Sequence, residues 1–419
     1  MKYIVSLILF FCVPIVSFAQ QSIKGKVIDI VSKEPLSYTS IAVPNSSTGT
    51  MTNADGEFEL RLKENQSEIQ ISYIGYLDTL VAINAVEPYY VIALKAYEYE
   101  LSEIIVNPLS PLEYIKEALM KHPALIPAKT FNTRSFFAAK SSLQNDNSGS
   151  YKLDEAVFNT YFSDYANDTL KEDSQLLLHR YTENGTFTSI LEENKRIQKA
   201  KKKNSASNNS NEEGDMEEEE FSFSFNDLTD SGPAATLRKA KSLTTLDFFD
   251  SEYFKKFNYT FGEQTYYQGR ELIKINFSNK RKVEQSFYNG SIFLDYNDLA
   301  IVAVKYNQKA KIPGYINFLL KTVIGFSLDQ LDMDVTIRNQ FIDKWYPKEV
   351  IFDLDLTIKQ KGALEVISIA QILNIEEIEI ENPRMIPNDM IFKNELEYEE
   401  QIFPLDKITW DKVNVIELK

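Results

Sequence analysis

Residues 290–306 read GSIFLDYNDLAIVAVKY. Two runs rich in β-branched, aliphatic and aromatic residues, Gly290–Asp295 and Ala300–Tyr306, flank Tyr296-Asn297-Asp298, whose Asn-Asp pair is turn chemistry. The pattern predicts strand, turn, strand. Outward from it the same reading repeats: a strand at Tyr267–Phe277 upstream, and strands at Asp332–Gln340, Tyr346–Thr357 and Leu364–Ile375 downstream. Consecutive hairpins with one helix nearby predict an α+β module built on a large antiparallel sheet or open half-barrel.

That helix is legible further upstream. Ser110-Pro111-Leu112-Glu113 forms a capping-box motif with Pro at the first helical position. Leu112, Ile115 and Leu119 share a helical face, and His122-Pro123 marks the expected end. Strands follow at Ser135–Ala139, Tyr151–Phe162 and Leu176–Tyr181. Residues 195–220 break the pattern with Lys199, Lys201, Lys202 and Lys203, then a polar run, then Glu217 to Glu220. No apolar face forms there, which predicts a solvated, disordered insertion. Ordered structure is expected to resume within Leu237–Phe254. Residues 107–419 thus read as one module interrupted by a charged loop.

Residues 20–106 read differently. Short alternating runs separated by turn residues, with no helical period, predict a β-sandwich of about seven strands. Ile23–Asp29, Tyr38–Val43, Glu57–Leu62, Ile69–Tyr76 and Tyr89–Leu94 are its clearest strands, and Gly25 signals a close backbone approach. Thr52-Asn53-Ala54-Asp55-Gly56 predicts a tight hairpin turn, because Asp-Gly supplies the positive φ such a turn needs. A calcium loop is disfavoured: Met51 and Leu62 stand where carboxylate ligands would be required.

Residues 1–19 have the layout of a signal peptide: Lys2, an apolar run from Ile4 to Phe18, and small Ser17 and Ala19 before Gln20. The run is shorter than the roughly 20 residues of a membrane-spanning helix. Bulky Phe11 disfavours lipidation of Cys12. That cysteine leaves with the signal, so the mature chain is expected to hold no disulfide. No later stretch predicts a transmembrane span.

The sandwich motifs carry a resemblance. Gly25-Lys26-Val27, Pro35-Leu36, Thr48-Gly49-Thr50, Thr52–Phe58 and Ser72-Tyr73-Ile74-Gly75-Tyr76, in that order, resemble the carboxypeptidase regulatory-like domain. The resemblance implies a transthyretin-like sandwich that is accessory and non-catalytic. Leu101–Val106 resembles the segment that follows this domain in outer-membrane receptors of Bacteroidota. A TonB-dependent receptor is nonetheless not expected, because a plug and a barrel of about 22 strands need far more chain than follows residue 106. The sandwich followed by Pro111–Ala139 resembles a Bacteroidota family of exported proteins. Gly290–Asp295, Asn297-Asp298 and Ala300-Ile301-Val302 resemble the strand-turn-strand of lipoprotein-sorting half-barrels, which implies a lipid-carrying concavity.

Composition narrows the chemistry. The 419 residues carry 45 Lys plus Arg against 61 Asp plus Glu, a net charge of −16, which disfavours a grip on nucleic acid. His122 and His179 are the only histidines and stand far apart without metal-ligand or triad spacing. Gly-x-Ser-x-Gly, Walker and Gly-x-Gly-x-x-Gly motifs are missing, so no catalytic, cofactor-binding or metal-ligating residues are nominated and no cofactor is expected. A carboxylate pair for a hydrolase stays open among so many acids. Tyr73, Tyr76, Tyr89, Tyr90, Tyr97 and Tyr99 read as sheet packing, with a glycan- or protein-binding face as the alternative. The expectation is a non-enzymatic exported protein, periplasmic or peripheral at the outer membrane, that binds or assembles an envelope protein, glycan or lipid partner. A lipid- or lipoprotein-handling carrier is the alternative. Oligomeric state is not legible.

Overall fold

The computed structural model describes residues 22–44, 46, 48–62, 66–84, 89–98, 109–144, 149–163, 165–166, 172–185, 246–280, 286–312, 314, 317–318, 321, 327–360, 363–393, 398–402 and 408–418. Residues 1–19 with Cys12, read above as a signal peptide, the Leu101–Val106 segment and residues 195–220, read as an insertion, lie outside these residues.

Alternation in the first part becomes β1 (Ser22–Asp29), β2 (Ser40–Ala42), β3 (Gly49–Met51), β4 (Glu57–Arg61), β5 (Glu68–Ser72), β6 (Thr79–Ala82) and β7 (Tyr89–Leu94). They form two sheets, β4-β1-β7 and β3-β2-β5-β6. Ile23 and Val27 of β1, Ile41 of β2, Leu60 of β4 and Ile69 and Ile71 of β5 share one buried cluster, which makes the pair a sandwich. The Asp55-Gly56 turn differs from its expectation. β3 pairs with β2 and β4 with β1, so the turn carries the chain between sheets and closes no hairpin within one. The local chemistry is as expected: Gly56 has φ +74°, and Asn53 Oδ1 accepts from the Asp55 and Glu57 amides, both at 2.9 Å. What the alternating pattern does not encode is that β1 passes beside this turn. A Cβ on Gly56 would stand 2.6 Å from Val27 O.

The capping box at Ser110 forms with both bonds, Ser110 N–H to Glu113 Oε2 at 2.7 Å and Glu113 N–H to Ser110 Oγ at 3.4 Å. Helix α1 (Pro111–Leu125) continues past the expected stop at His122-Pro123. Pro123 removes a single amide donor near the C-terminus, and Ile126 N–H returns to His122 O at 3.2 Å, so a last turn still closes.

Eleven strands follow: β8 (Phe131–Leu143), β9 (Tyr151–Phe162), β10 (Glu172–Asn184), β11 (Phe257–Phe261), β12 (Thr265–Tyr267), β13 (Arg270–Asn279), β14 (Ser286–Asp295), β15 (Ile301–Lys311), β16 (Ser327–Phe341), β17 (Trp345–Gln360) and β18 (Ala363–Glu379). They make one open antiparallel sheet, ordered β10-β9-β8-β18-β17-β16-β15-β14-β13-β11, with β12 paired to β13. Paired strands are consecutive in sequence except at β8–β18, where the first strand meets the last, and at β11–β13, which leaves β10 and β11 at opposite ends of the sheet. The run at Tyr267–Phe277, expected as one strand, is broken. Gln268 (φ +49°) and Gly269 (φ +75°) form a two-residue turn between paired Tyr267 and Arg270, and two left-handed residues in succession are the geometry of a type I′ hairpin.

One face of this sheet buries the main core. Tyr114, Ile115 and Ala118 of α1 join it, as do Phe248, Phe249 and Phe254, within the stretch where ordered structure was expected to resume. Phe248 is fully buried, stacks on Phe277 with centroids 4.1 Å apart and meets Tyr306 edge-on at 5.4 Å. Removing a buried aromatic ring forfeits its transfer free energy and leaves a cavity, so Phe248→Ala is expected to destabilise the protein by about 3–5 kcal/mol. Urea unfolding of the purified variant measures this, and a loss below 1 kcal/mol would show that the ring is not a keystone.

Candidate functional site

The opposite face of the sheet is organised in rows, because residues paired across strands point the same way. One row runs Phe136, Asn374, Glu349, Arg338, Ala303, Phe293, Lys274. The next runs Ala138, Ile372, Ile351, Thr336, Lys305, Ser291, Asn276, Thr260. The third runs Lys140, Ala370, Asp353, Asp334, Asn307, Asn289, Ser278, Asn258. Polarity is graded across them. In the first row Asn374, Glu349, Arg338, Ala303 and Phe293 are all buried, although three are polar or charged. What covers them is the sandwich.

Two polar clips hold it there. Arg338 forms an ion pair with Glu349 and donates from Nη2 to the Tyr38 carbonyl of the sandwich. The second clip is Asn414, in the C-terminal segment. Its Oδ1 accepts from Arg61 N at 2.8 Å, its Nδ2 reaches Gly49 O at 3.4 Å, and its own amide donates to Glu376 Oε1 at 3.0 Å. Asn414 therefore ties two sandwich strands to β18. Val413 and Ile416 beside it pack in a small apolar cluster with Met51, Phe136 and Ile372.

A third contact comes from the Ser72–Tyr76 motif. Tyr76 N–H bonds Tyr73 O at 3.0 Å and Gly75 has φ +93°, the left-handed third position of a type II turn. The Gly75 amide then donates to Tyr266 O on β12 at 3.0 Å, and Ile74 enters the cluster of Tyr267, Phe293 and Trp345. Tyr97 stacks on Tyr266 at 5.5 Å.

Between these contacts a cavity of about 460 Å³ is left open. Tyr38, Tyr73, Gly75 and Tyr97 of the sandwich line one side; Lys274, Ser291, Phe293, Lys305 and Thr336 of the sheet line the other. Burial, with Asp353 nearby, pushes the Tyr38 phenol up to about 12, so it stays a neutral donor at the wall. The cavity adjoins a second, shallower groove of about 380 Å³ through Ser291, lined by Asn258, Thr260, Asn276, Ser278 and Asn289.

The six tyrosines read from the sequence do not form one face. Tyr90 is buried in the sandwich while Tyr89 points to solvent, as strand alternation requires. Tyr76 meets Tyr73 edge-on and donates to Asp29 Oδ2 at 2.8 Å. Tyr73 and Tyr97 reach the cavity; Tyr99 lies outside the described residues. The histidines stay apart: His179 stacks on Tyr398 at 4.4 Å and approaches Asp154 at 3.1 Å, while His122 is half-buried on α1.

Carboxylates do gather. Asp334 faces Asp353 and Asp332 faces Asp355 across β16 and β17. Burial by its surroundings, then repulsion from Asp334 and Asp355, pushes Asp353 up to about 6. Asp332 is held by Lys309 at 2.7 Å and Asn307 at 2.8 Å, and Asp355 by Ser368 at 2.6 Å and Gln144 at 2.9 Å. Asp334 and Asp353 line neither cavity. Among the described residues no group of three or more His, Cys, Asp or Glu could hold a metal ion.

Sequence reasoning missed Arg338, Glu349, Lys274, Lys305 and Asn414. The four charged ones sit at polar positions of alternating strands, where the pattern reads as solvent-facing, and nothing local marks a second module above them.

The fold and site define a two-module β protein: a small sandwich clipped onto the polar face of a large open sheet. Residues 23–106 match the family model of the CarboxypepD_reg-like domain, which places the sandwich. No curated protein matches the chain in sequence. Among solved structures it is similar to lipovitellin, described for its lipid–protein interactions, at 8% identity and a TM-score of 0.27, over 63% of this chain and 26% of that one. It is also similar to a DUF1329 family protein from Desulfovibrio piger, at 8% identity and a TM-score of 0.21, over 66% of this chain and 96% of that one. The chain thus spans about a quarter of the lipovitellin length, and neither likeness carries an argument. No helix among the described residues is long and apolar enough to cross a membrane.

Removing one partner of a buried ion pair strands the other charge. Arg338→Met alone is expected to cost about 3–5 kcal/mol, and Arg338→Met with Glu349→Leu to recover most of it. Urea unfolding of the single and double variants checks this; equal losses in both would refute a pairing role. A pH effect follows from His122, whose imidazole burial pushes down to about 4 from 6.5. Between these values the unfolded chain binds a proton that the folded one does not, so stability from this site is present above pH 6.5 and is lost as pH falls toward 4. Melting temperatures at pH 7 and 4.5 are expected to fall further for wild type than for His122→Gln.

Proposed function

We propose that this chain is an exported, non-enzymatic binding or assembly protein of the cell envelope, with a sandwich of residues 20–106 acting as a fixed lid over a sheet module of residues 107–419. The cavity between the two carries this reading. A ligand pocket is a concave site with a few convergent polar groups between largely preformed walls, and such sites favour domain interfaces. This one has tyrosines on one wall and two lysines and hydroxyls on the other. The Arg338 and Asn414 clips fix the separation of those walls, so a bound group meets positions already set and little ordering cost is added on binding.

The non-enzymatic part rests on the placement of the titratable groups. A nucleophile with an adjacent base, or a carboxylate pair inside a water-excluding cleft, would support a hydrolase. Here the facing carboxylates Asp334 and Asp353 lie outside the cavity. Export rests on residues 1–19, and the accessory character of the sandwich on the domain family that residues 23–106 match. The carrier alternative draws on the strand-turn-strand at residues 290–302. It is weakened because the sheet's apolar face is filled by α1, Phe248, Phe249 and Phe254, while the open cavities lie on the polar face.

The test uses the full mature chain incubated with envelope extract, followed by native mass spectrometry. Wild type is expected to retain a co-purifying molecule or protein that Thr336→Trp, which fills the cavity, does not retain, while both give the same circular dichroism and melting temperature. Equal retention by both would place binding elsewhere. Chemical conversion of extract components by the protein would overturn the non-enzymatic reading.

A further inference from the structure

Resting on the cavity as the binding site, we infer that its ligand class is an acidic oligosaccharide, laid along the groove that runs from the cavity mouth at Lys274 and Lys305 across Asn276 and Asn289 to the β11 edge at Asn258. The groove floor is unusual for an open sheet face in a chain of net charge −16. Ordinary solvent-facing strands of such a chain would carry acids. Six of the eight residues that line the outer groove are instead neutral amides or hydroxyls, and none is charged.

These groups stand at the spacing of paired strands. Asn258, Ser278 and Asn289 lie in one row, and Thr260, Asn276 and Ser291 in the next. Successive strands are about 4.8 Å apart, so the floor repeats a donor-acceptor pair at roughly the length of a sugar ring. Ser291 Oγ donates to Asn276 Oδ1 at 2.8 Å, which fixes the orientation of that amide and turns its nitrogen toward Gly262. Amides and hydroxyls that both donate and accept match the hydroxyls of a carbohydrate. They suit neither an apolar lipid tail nor a peptide side-chain charge.

The acid is specified at the inner end. Lys274 and Lys305 flank Ser291 and Phe293 on adjacent rows, and neither forms an ion pair among the described residues. Lys274 Nζ lies 5.9 Å from the Phe293 ring centre. The acid lining the cavity, Glu263, sits exposed at its lip. Two cations without an ion-pair partner among the described residues form a local positive spot, complementary to a carboxylate or sulfate on the ligand. Tyr73 and Tyr97 stand on the opposite wall, where aromatic surface suits the apolar side of a sugar.

The experiment is a glycan microarray carrying neutral and uronate-, sialate- or sulfate-bearing oligosaccharides, probed with the full mature chain. Wild type is expected to bind acidic members. Lys274→Gln with Lys305→Gln should lower that signal at least tenfold, with melting temperature unchanged because both side chains reach solvent. Asn258→Ala with Asn289→Ala should weaken every bound glycan about equally. Binding to neutral glycans only, or acidic binding indifferent to the lysine pair, would overturn the inference. Absence of glycan binding while Thr336→Trp still abolishes capture from envelope extract would overturn it too, yet leave the cavity as the binding site.

Discussion

Everything about the relation between the two modules turns on a guanidinium taken out of water. Arg338 lies in a row of the sheet that the sandwich covers, and an isolated charge there would cost several kcal/mol. Glu349, paired to it across the strands, neutralises the charge, and the Tyr38 carbonyl uses a remaining donor. That last bond comes from the other module. The sheet can therefore bury this row at low cost only while the sandwich is in place, and the bond to the Tyr38 carbonyl gives the sandwich a directional contact on that row.

Apolar burial explains a different part of the molecule. The main core lies on the far face of the sheet, where α1, Phe248 and the inward residues of β13 to β18 pack together. It holds the sheet in shape and says nothing about where the sandwich sits. The docking face is assembled instead from small apolar patches, such as Ile74 against Phe293 and Trp345, joined by hydrogen bonds from Gly75 and Asn414. Directional bonds specify one arrangement and tolerate gaps, and a cavity lined by lysines, hydroxyls and tyrosines survives between them.

Most elements are legible because each is a local matter. The capping box at Ser110-Pro111-Leu112-Glu113 needs only backbone geometry within one turn, and the strands from Asp332 to Ile375 follow from alternation. The misreadings are also local in origin. Tyr267–Phe277 is apolar enough for one strand, yet Gln268-Gly269 reverses it once β13 has a partner on each side. Asp55-Gly56 is a true turn, but whether a turn joins neighbours in one sheet or crosses to another depends on strands distant in sequence.

From the residues alone came the two-part β architecture, the helix that opens at Ser110-Pro111 and the resemblance of residues 23–106 to a regulatory-like sandwich, since period, turn chemistry and motif order are carried by neighbours in the chain. The site is a matter of tertiary structure. Arg338 and Glu349 are 11 positions apart and look solvated in sequence; Tyr38 is 300 positions from Arg338. Only the register of β16 with β17, and the sandwich lowered onto them, turns three unremarkable polar groups into a buried clip and sets Lys274 and Lys305 at the mouth of a cavity. Alternation records which side chains leave the sheet. It holds no record of what waits above them.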